Sequence, residues 1–373
     1  MQTSILLTPG PLTTSPSVRR SMNRDWGSRD ADFIALTHEM RERLLKIANA
    51  AATHTAVPIA GSGSLAVEAI LGTLIPPSGK LLVLSNGSYG ERIYNIAVRL
   101  QRPVLIVRGA EHEPTNLSEV ETALENDLSI THVAAVHCET TTGVLNPIQK
   151  IAEIVNRHGR CLIVDAMSSF GALPVDLTTT KITAIIASSN KCLEGVPGVG
   201  FSLVEANTIA MSAGQSPSFY MDMHLQWREF ERSGQWRFTP PVQVVAALVQ
   251  ALRELEAEGG PSARGSRYNE NMQTLLSGMK KMGFQTFLRG DVQAPIIATF
   301  LEPTERWFTF EKFYSGLAQR GFLIYPGKLA TKPSFRIGCI GSITSVEILS
   351  FLTAVSETIS DLMARLASAN DVR

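Results

Sequence analysis

Lys191 stands in the run Ser188-Ser189-Asn190-Lys191-Cys192, 26 residues after Asp165 in Val164-Asp165-Ala166-Met167-Ser168-Ser169. Each follows a short apolar run, Ala184–Ala187 for the lysine and Cys161–Val164 for the aspartate. That pattern predicts two strands, each delivering a polar group at or just past its carboxyl end. In parallel α/β sheets such ends open onto a common crevice. A lysine amine forms a Schiff base with an aldehyde, and a carboxylate keeps a pyridine nitrogen protonated. These are the two groups that pyridoxal phosphate requires of its protein. Taken singly, each also reads as something ordinary: an exposed loop lysine and a helix-capping aspartate.

A phosphate needs its own cradle, and Gly61-Ser62-Gly63-Ser64 supplies one ahead of a helical stretch, Leu65–Leu74. Free N–H groups and the helix dipole favour an anion there. Gly61, Gly63 and Ala66 also match the G-x-G-x-x-G/A dinucleotide fingerprint. A dinucleotide wants an acidic residue about 20 positions on, at the next strand end. That strand ends in Ser85-Asn86-Gly87, without a carboxylate for a ribose, so a single phosphate fits better. Tyr89, in Asn86-Gly87-Ser88-Tyr89-Gly90, offers a flat ring for stacking on a pyridine, or is an ordinary half-buried tyrosine. The hydroxyls of Glu139-Thr140-Thr141-Thr142-Gly143 either reach the cofactor's phenolic oxygen or make a polar turn. Met167 packs under the ring or simply fills core.

The elements needed to position these groups follow from periodicity. Strands are expected at 80–85, 104–107, 132–137, 160–165, 184–188 and 200–204, with helices such as 91–100 and 148–158 between the first four. Continuous apolar strands alternating with helices imply a mostly parallel sheet covered on both faces. A helical pattern over 241–258 stops at Gly259-Gly260-Pro261, where the chain is expected to divide. The expected organisation is an extended arm (1–16) reaching the active site and small domain, a large cofactor domain (17–258), and a smaller α+β domain (259–373). The last carries a helix over 262–282, strands near 294–299, 322–325 and 334–338, and a final helix from about 345.

Composition narrows the function classes. The 373 residues hold 44% hydrophobic and 18% charged residues, and Lys+Arg equals Asp+Glu at 34 each, so no charge excess points to nucleic acid or an acidic membrane. The four cysteines show no paired spacing, which fits reduced thiols in the cytoplasm. No HExxH or HxH motif occurs among the seven histidines, so no metal site is expected. The start of the chain lacks a basic n-region and a long apolar core, and no apolar run approaches membrane-spanning length.

Together the segments Thr8-Pro9-Gly10-Pro11, Gly61-Ser62-Gly63-Ser64, Ser85-Asn86-Gly87-Ser88-Tyr89-Gly90, Asp165-Ala166-Met167-Ser168-Ser169-Phe170-Gly171, Asn190-Lys191-Cys192, Trp236-Arg237-Phe238-Thr239, Tyr325-Pro326-Gly327-Lys328 and Phe335-Arg336-Ile337-Gly338 resemble the class V aminotransferase group of fold-type I pyridoxal-phosphate enzymes. The likeness runs nearly end to end. It is closest to the branch that moves an amino group from 2-aminoethylphosphonate to pyruvate. The resemblance implies that Lys191 carries the cofactor and that Asp165 binds its ring nitrogen. Ser62, Gly63 and Ser64 would hold the phosphate, with Asn190 as a further donor, while Tyr89 faces the ring and Thr140 or Thr142 reaches the phenolic oxygen. Thr239 would cap the phosphate of a neighbouring subunit, making the unit a homodimer with shared active sites. Arg336 would grip the substrate's acidic group, although an arginine on a strand also reads as a structural ion pair. Cys138 and Cys339 depart from the group's usual residues, and 23–30 reads differently from the group.

Rival functions remain definable. A related aminotransferase would use glyoxylate, serine or phosphoserine. A cysteine desulfurase would need a mobile nucleophilic cysteine, for which Cys339 is the candidate in the small domain, within the apolar run 335–340. A dehydrogenase lacks its ribose-binding acid, and a pure binding module has no use for Lys191, Asp165 and a phosphate cradle together.

Overall fold

The computed structural model describes residues 4–329 and 332–371. Residues 1–3 of the expected arm lie outside that range. A seven-stranded sheet forms the centre, in the spatial order His54–Ala60, Val199–Glu205, Ala184–Ser188, Cys161–Asp165, Ile130–Val136, Lys80–Ser85, Val104–Arg108. Val199–Glu205 runs antiparallel to both neighbours and the remaining pairs are parallel. The runs Leu81–Leu84 and Ala184–Ala187 are buried throughout, as strands covered by helices on both faces must be. The sheet is therefore the mostly parallel α/β layer that the sequence predicts.

Register sets up the crevice. Asp165 pairs with Ile186, and the Ala166 N–H donates to the Ile186 carbonyl at 2.9 Å. The two strands thus end side by side, and Lys191 emerges a few residues beyond the second. Helix Gly63–Leu74 lies over the antiparallel strand so closely that a Cβ on Gly200 would sit 2.8 Å from the Ala66 Cβ and 3.0 Å from the Ser62 carbonyl.

After residue 258 the chain builds a second layer. Ile297–Leu301, Ser334–Gly338 and Tyr325–Pro326 form an antiparallel sheet under helices Gly260–Lys281, Phe310–Gln319 and Ser345–Asp371. Phe284, Phe300, Phe308, Phe313 and Phe335 fill its own apolar cluster. The amino-terminal arm joins both layers. Ile5–Leu6 adds to Phe322–Leu323 as a short parallel strand, and the Gly338 N–H donates to the Leu7 carbonyl at 2.9 Å. Thr8 to Pro11 then run on toward Lys191.

Several elements differ from expectation. His54–Ala60 is an edge strand containing Pro58, a residue that argues against a central strand but is tolerated where no neighbour needs its N–H. Helices Met223–Ser233 and Phe310–Gln319 were not legible as helices.

Candidate active site

Beyond Ser188 the chain makes a compact loop. The Gly195 N–H donates to the Ser189 carbonyl at 2.8 Å, and Glu194 takes a left-handed φ of 62°. The loop turns Lys191 into the crevice, where Nζ donates to the carbonyls of Pro9 at 2.7 Å and Gly10 at 3.3 Å. Gly10 has φ 109°, and a Cβ there would come within 2.6 Å of the Lys191 side chain, so only glycine lets the arm pass. Burial lowers the Lys191 pKa to about 8, and the positive charges of Arg336 and Lys328 push the same way.

Asp165 is buried at its strand end and accepts from the Met167 N–H at 2.9 Å. Burial raises its pKa to about 6, against the pull of that hydrogen bond and the Arg92 and Lys191 charges. A buried carboxylate and a buried amine, each shifted toward its neutral form, mark a site that stabilises a charged or covalent guest.

Ser62 caps helix Gly63–Leu74, its Oγ accepting from the Leu65 N–H at 3.3 Å. A Cβ on Gly63 would strike the Met167 sulfur. The helix start therefore opens onto a cavity of about 530 Å³ lined by Ser62, Gly63, Ser64, Tyr89, Asp165, Met167, Asn190 and Lys191, together with Pro11, Arg92, Cys138, Ser168 and Ser188. Asn190 Oδ1 accepts from the Ser188 hydroxyl at 3.1 Å. The Tyr89 N–H donates to Glu139 Oε2 at 3.0 Å, which fixes the start of its helix against the Glu139-Thr140-Thr141-Thr142 turn.

Four expected residues lie off the cavity wall. Thr142 is buried with its hydroxyl 3.4 Å from the Glu139 carbonyl, inside its own turn. Thr140 is likewise buried, its Oγ1 lying 3.5 Å from the Ser168 hydroxyl, and its carbonyl accepts from Arg336 Nη1 at 3.0 Å. Arg336 also donates through Nε to the Pro326 carbonyl at 3.1 Å, so among the described residues its hydrogen bonds go to carbonyls and not to a carboxylate. Thr239 is exposed and away from this chain's cavity. Arg92 is a wall residue that sequence reasoning missed. The signal was its position three residues after Tyr89 on one helix, which places the two side chains together.

Cys339 is fully buried with Sγ 3.9 Å from the Met272 sulfur, and burial pushes its thiol pKa up. An inert thiol in a packed core does not serve as a mobile desulfurase nucleophile.

Residues 17–342 match the family described as aminotransferase class-V. The chain belongs to the class V aminotransferases. A 2-aminoethylphosphonate–pyruvate transaminase of Pseudomonas aeruginosa is 49% identical over 358 residues, covering 96% of each chain. A 2-aminoethylphosphonate–pyruvate transaminase 2 of Burkholderia lata is 48% identical, covering 98% of this chain and 97% of its own. The crystal structure of pyridoxamine–pyruvate aminotransferase from Mesorhizobium loti superposes with a TM-score of 0.88 at 26% identity, covering 97% of this chain and 93% of its own. The aminotransferase takes pyridoxal phosphate as its cofactor. Its cavity fits that group on three counts: a lysine amine of lowered pKa, a buried carboxylate on the adjacent strand, and free helix-start N–H groups beside them.

Proposed function

We propose that this transaminase moves the amino group of 2-aminoethylphosphonate to pyruvate, giving phosphonoacetaldehyde and L-alanine in two half-reactions at one site. The observation that carries the reading is Arg336. It is buried, its hydrogen bonds among the described residues go to the Pro326 and Thr140 carbonyls rather than to a carboxylate, and its charge is felt by Lys191. A guanidinium fork pairs with a phosphonate or a carboxylate alike, as a site serving both half-reactions requires. The curated relatives named above share this chemistry by name.

In this reading Lys191 holds the cofactor and Asp165 its ring nitrogen. Ser62, Gly63, Ser64 and Asn190 take the phosphate, Tyr89 and Met167 flank the ring, and Thr140 or Thr142 serves the phenolic oxygen. When bound, pyridoxal phosphate supplies an electron sink that acidifies the carbon bearing the donor's amine. Lys191 Nζ, once free, takes a proton from that carbon, and in the second half it gives one to the corresponding carbon of alanine. Its pKa of about 8 leaves a useful fraction of neutral amine near neutral pH. Asp165, anionic above about pH 6, keeps a proton on the ring nitrogen. Pro9, Gly10 and Pro11 close one side of the cavity against water.

The reading also takes the chain as a cytoplasmic homodimer divided at 1–16, 17–258 and 259–373, with Thr239 reaching the neighbouring site. An exposed aromatic group supports this: Phe219 is 76% exposed, Tyr220 43% and Phe238 37%, with Arg237 stacked on both phenylalanines. The Tyr220 hydroxyl donates to the Ala60 carbonyl at 3.4 Å, immediately before the phosphate cradle. Among the described residues no helix is long and apolar enough to cross a membrane.

The test is a visible-absorbance titration of purified protein with 2-aminoethylphosphonate and then pyruvate. The bound-cofactor band is expected to bleach with the donor and return with pyruvate. A band that responds only to serine or alanine would overturn the substrate, and no band after adding pyridoxal phosphate would overturn the cofactor assignment of Lys191 and Asp165.

A further inference from the structure

We infer that Arg92 is the cation that holds the cofactor's phosphate, working with Ser64 from the opposite side of the helix start. This rests on the cofactor reading above. A pyridoxal phosphate ester is close to a dianion at neutral pH. The Ser62–Ser64 cradle offers only neutral N–H and hydroxyl donors and the partial charge of a helix start, equivalent to about half an elementary charge. The phosphate therefore lacks most of its countercharge unless a cationic side chain stands beside the cradle.

Among the described residues the only cationic side chains on the cavity wall are Lys191 and Arg92, and Lys191 is committed to the cofactor's aldehyde. Arg92 Nη1 donates to the Ser64 hydroxyl at 2.8 Å, and its guanidinium lies 4.8 Å over the Tyr89 ring. Among the described residues no carboxylate neutralises it. Its helix neighbour Glu91 is taken by Arg108 at 2.8 Å instead. Helix Ser88–Arg99 begins against the Glu139 carboxylate, and one turn of it carries both Tyr89 and Arg92. A single rigid element thus presents a flat ring and a planar cation, spaced for a pyridine bearing a phosphate arm. Ser64 bridges the cation to the cradle, so the Arg92 fork is already oriented before the anion arrives.

Full-length protein freed of cofactor is titrated with pyridoxal 5′-phosphate and, separately, with pyridoxal, which lacks the phosphate. Arg92→Met is expected to weaken phosphate-ester binding about ten- to a hundredfold, the value of a charge-assisted hydrogen bond. Pyridoxal binding should stay within about twofold, because the variant keeps the Lys191 and Asp165 side chains in place and pyridoxal has no phosphate to lose. Arg92→Lys should recover part of the loss, keeping the charge without the planar fork. Equal losses for both probes would show that Arg92 only props up Tyr89, and no loss for either would remove it from the site; each result overturns the inference. Wild-type protein that binds neither probe would defeat the cofactor reading itself, an outcome separate from these.

Discussion

Burial drives the Lys191 amine and the Asp165 carboxyl toward their neutral forms, and only the cofactor gives both charges a reason to be there. Asp165 has a folded pKa of about 6, above its usual value. A carboxyl whose pKa is raised on folding is no burden where both states are protonated, at about pH 4 and below. As pH rises through 6 the folded state loses stability, by up to about 3 kcal/mol for a shift of roughly two units. Asp165→Asn keeps the acceptor for the Met167 N–H and removes the charge. Cofactor-free protein carrying it should be more stable than wild type at pH 7.5, by about 1–3 kcal/mol, and no more stable near pH 4. Urea unfolding at the two pH values measures the gap, and a variant less stable at pH 7.5 would contradict the burial argument. The same variant should lose most of its capacity to transaminate. At Arg336, lysine preserves the charge and loses the fork that reaches Pro326 and Thr140. Arg336→Lys should lower kcat/KM about ten- to a hundredfold for the phosphonate and for pyruvate together, with the cofactor band intact. A loss confined to one substrate would mean that the two acids do not share this residue.

At the scale of elements, the loop bearing Lys191 is held from behind by helix Gly260–Lys281. Arg264, 1% exposed, donates to the Cys192 carbonyl at 3.0 Å and pairs with Glu258 at 2.8 Å. Arg267 pairs with Glu194 and with Glu258, both at 2.8 Å, and buried Tyr268 donates to Glu194. Removing one member of such a group leaves buried charge without its partner. Arg264→Met should therefore destabilise the protein by about 3 kcal/mol, read as a lower denaturation midpoint with an unchanged slope. A neutral result would mean that Arg267 alone satisfies the cluster. None of this was visible in the sequence, because ionic partners as far apart as 194 and 267 have no common periodicity. The central strands were visible, since Lys80–Ser85 and Ala184–Ser188 are short apolar runs bounded by turn residues. The edge strand His54–Ala60 was hidden by Pro58, and Phe310–Gln319 by the aromatic-rich stretch around Trp307 and Phe308. Lys191, Asp165 and the cradle were legible because strand ends and helix starts have fixed chemistry. The placement of Thr140 and Thr142 was not, because it depends on how a four-residue turn folds over Glu139.

At the scale of the whole molecule, the cavity in one chain is walled by Ser62, Gly63, Ser64, Tyr89, Asp165, Met167, Asn190 and Lys191, while Thr239 is exposed and away from it. That residue sits beside Phe238, in an exposed aromatic patch next to the strand that leads into the phosphate cradle. A two-fold dimer that buried this patch would bring each patch to its partner, since such an interface is self-complementary. If Thr239 serves the partner's phosphate, every site is built from two chains, and damage to its two parts can be separated. Lys191→Ala abolishes the site in the chain that carries it, whereas Thr239→Val weakens the site of the partner. In a dimer holding one of each, one site has both lesions and the other has none. Unfolding and refolding the two variants together should therefore yield about one quarter of wild-type activity from the mixed dimers, on top of about a quarter of the residual activity of Thr239→Val, because random pairing makes half the dimers mixed and each mixed dimer holds one intact site. Activity that stays at the average of the separate variants would place Thr239 in its own chain's chemistry or outside it altogether.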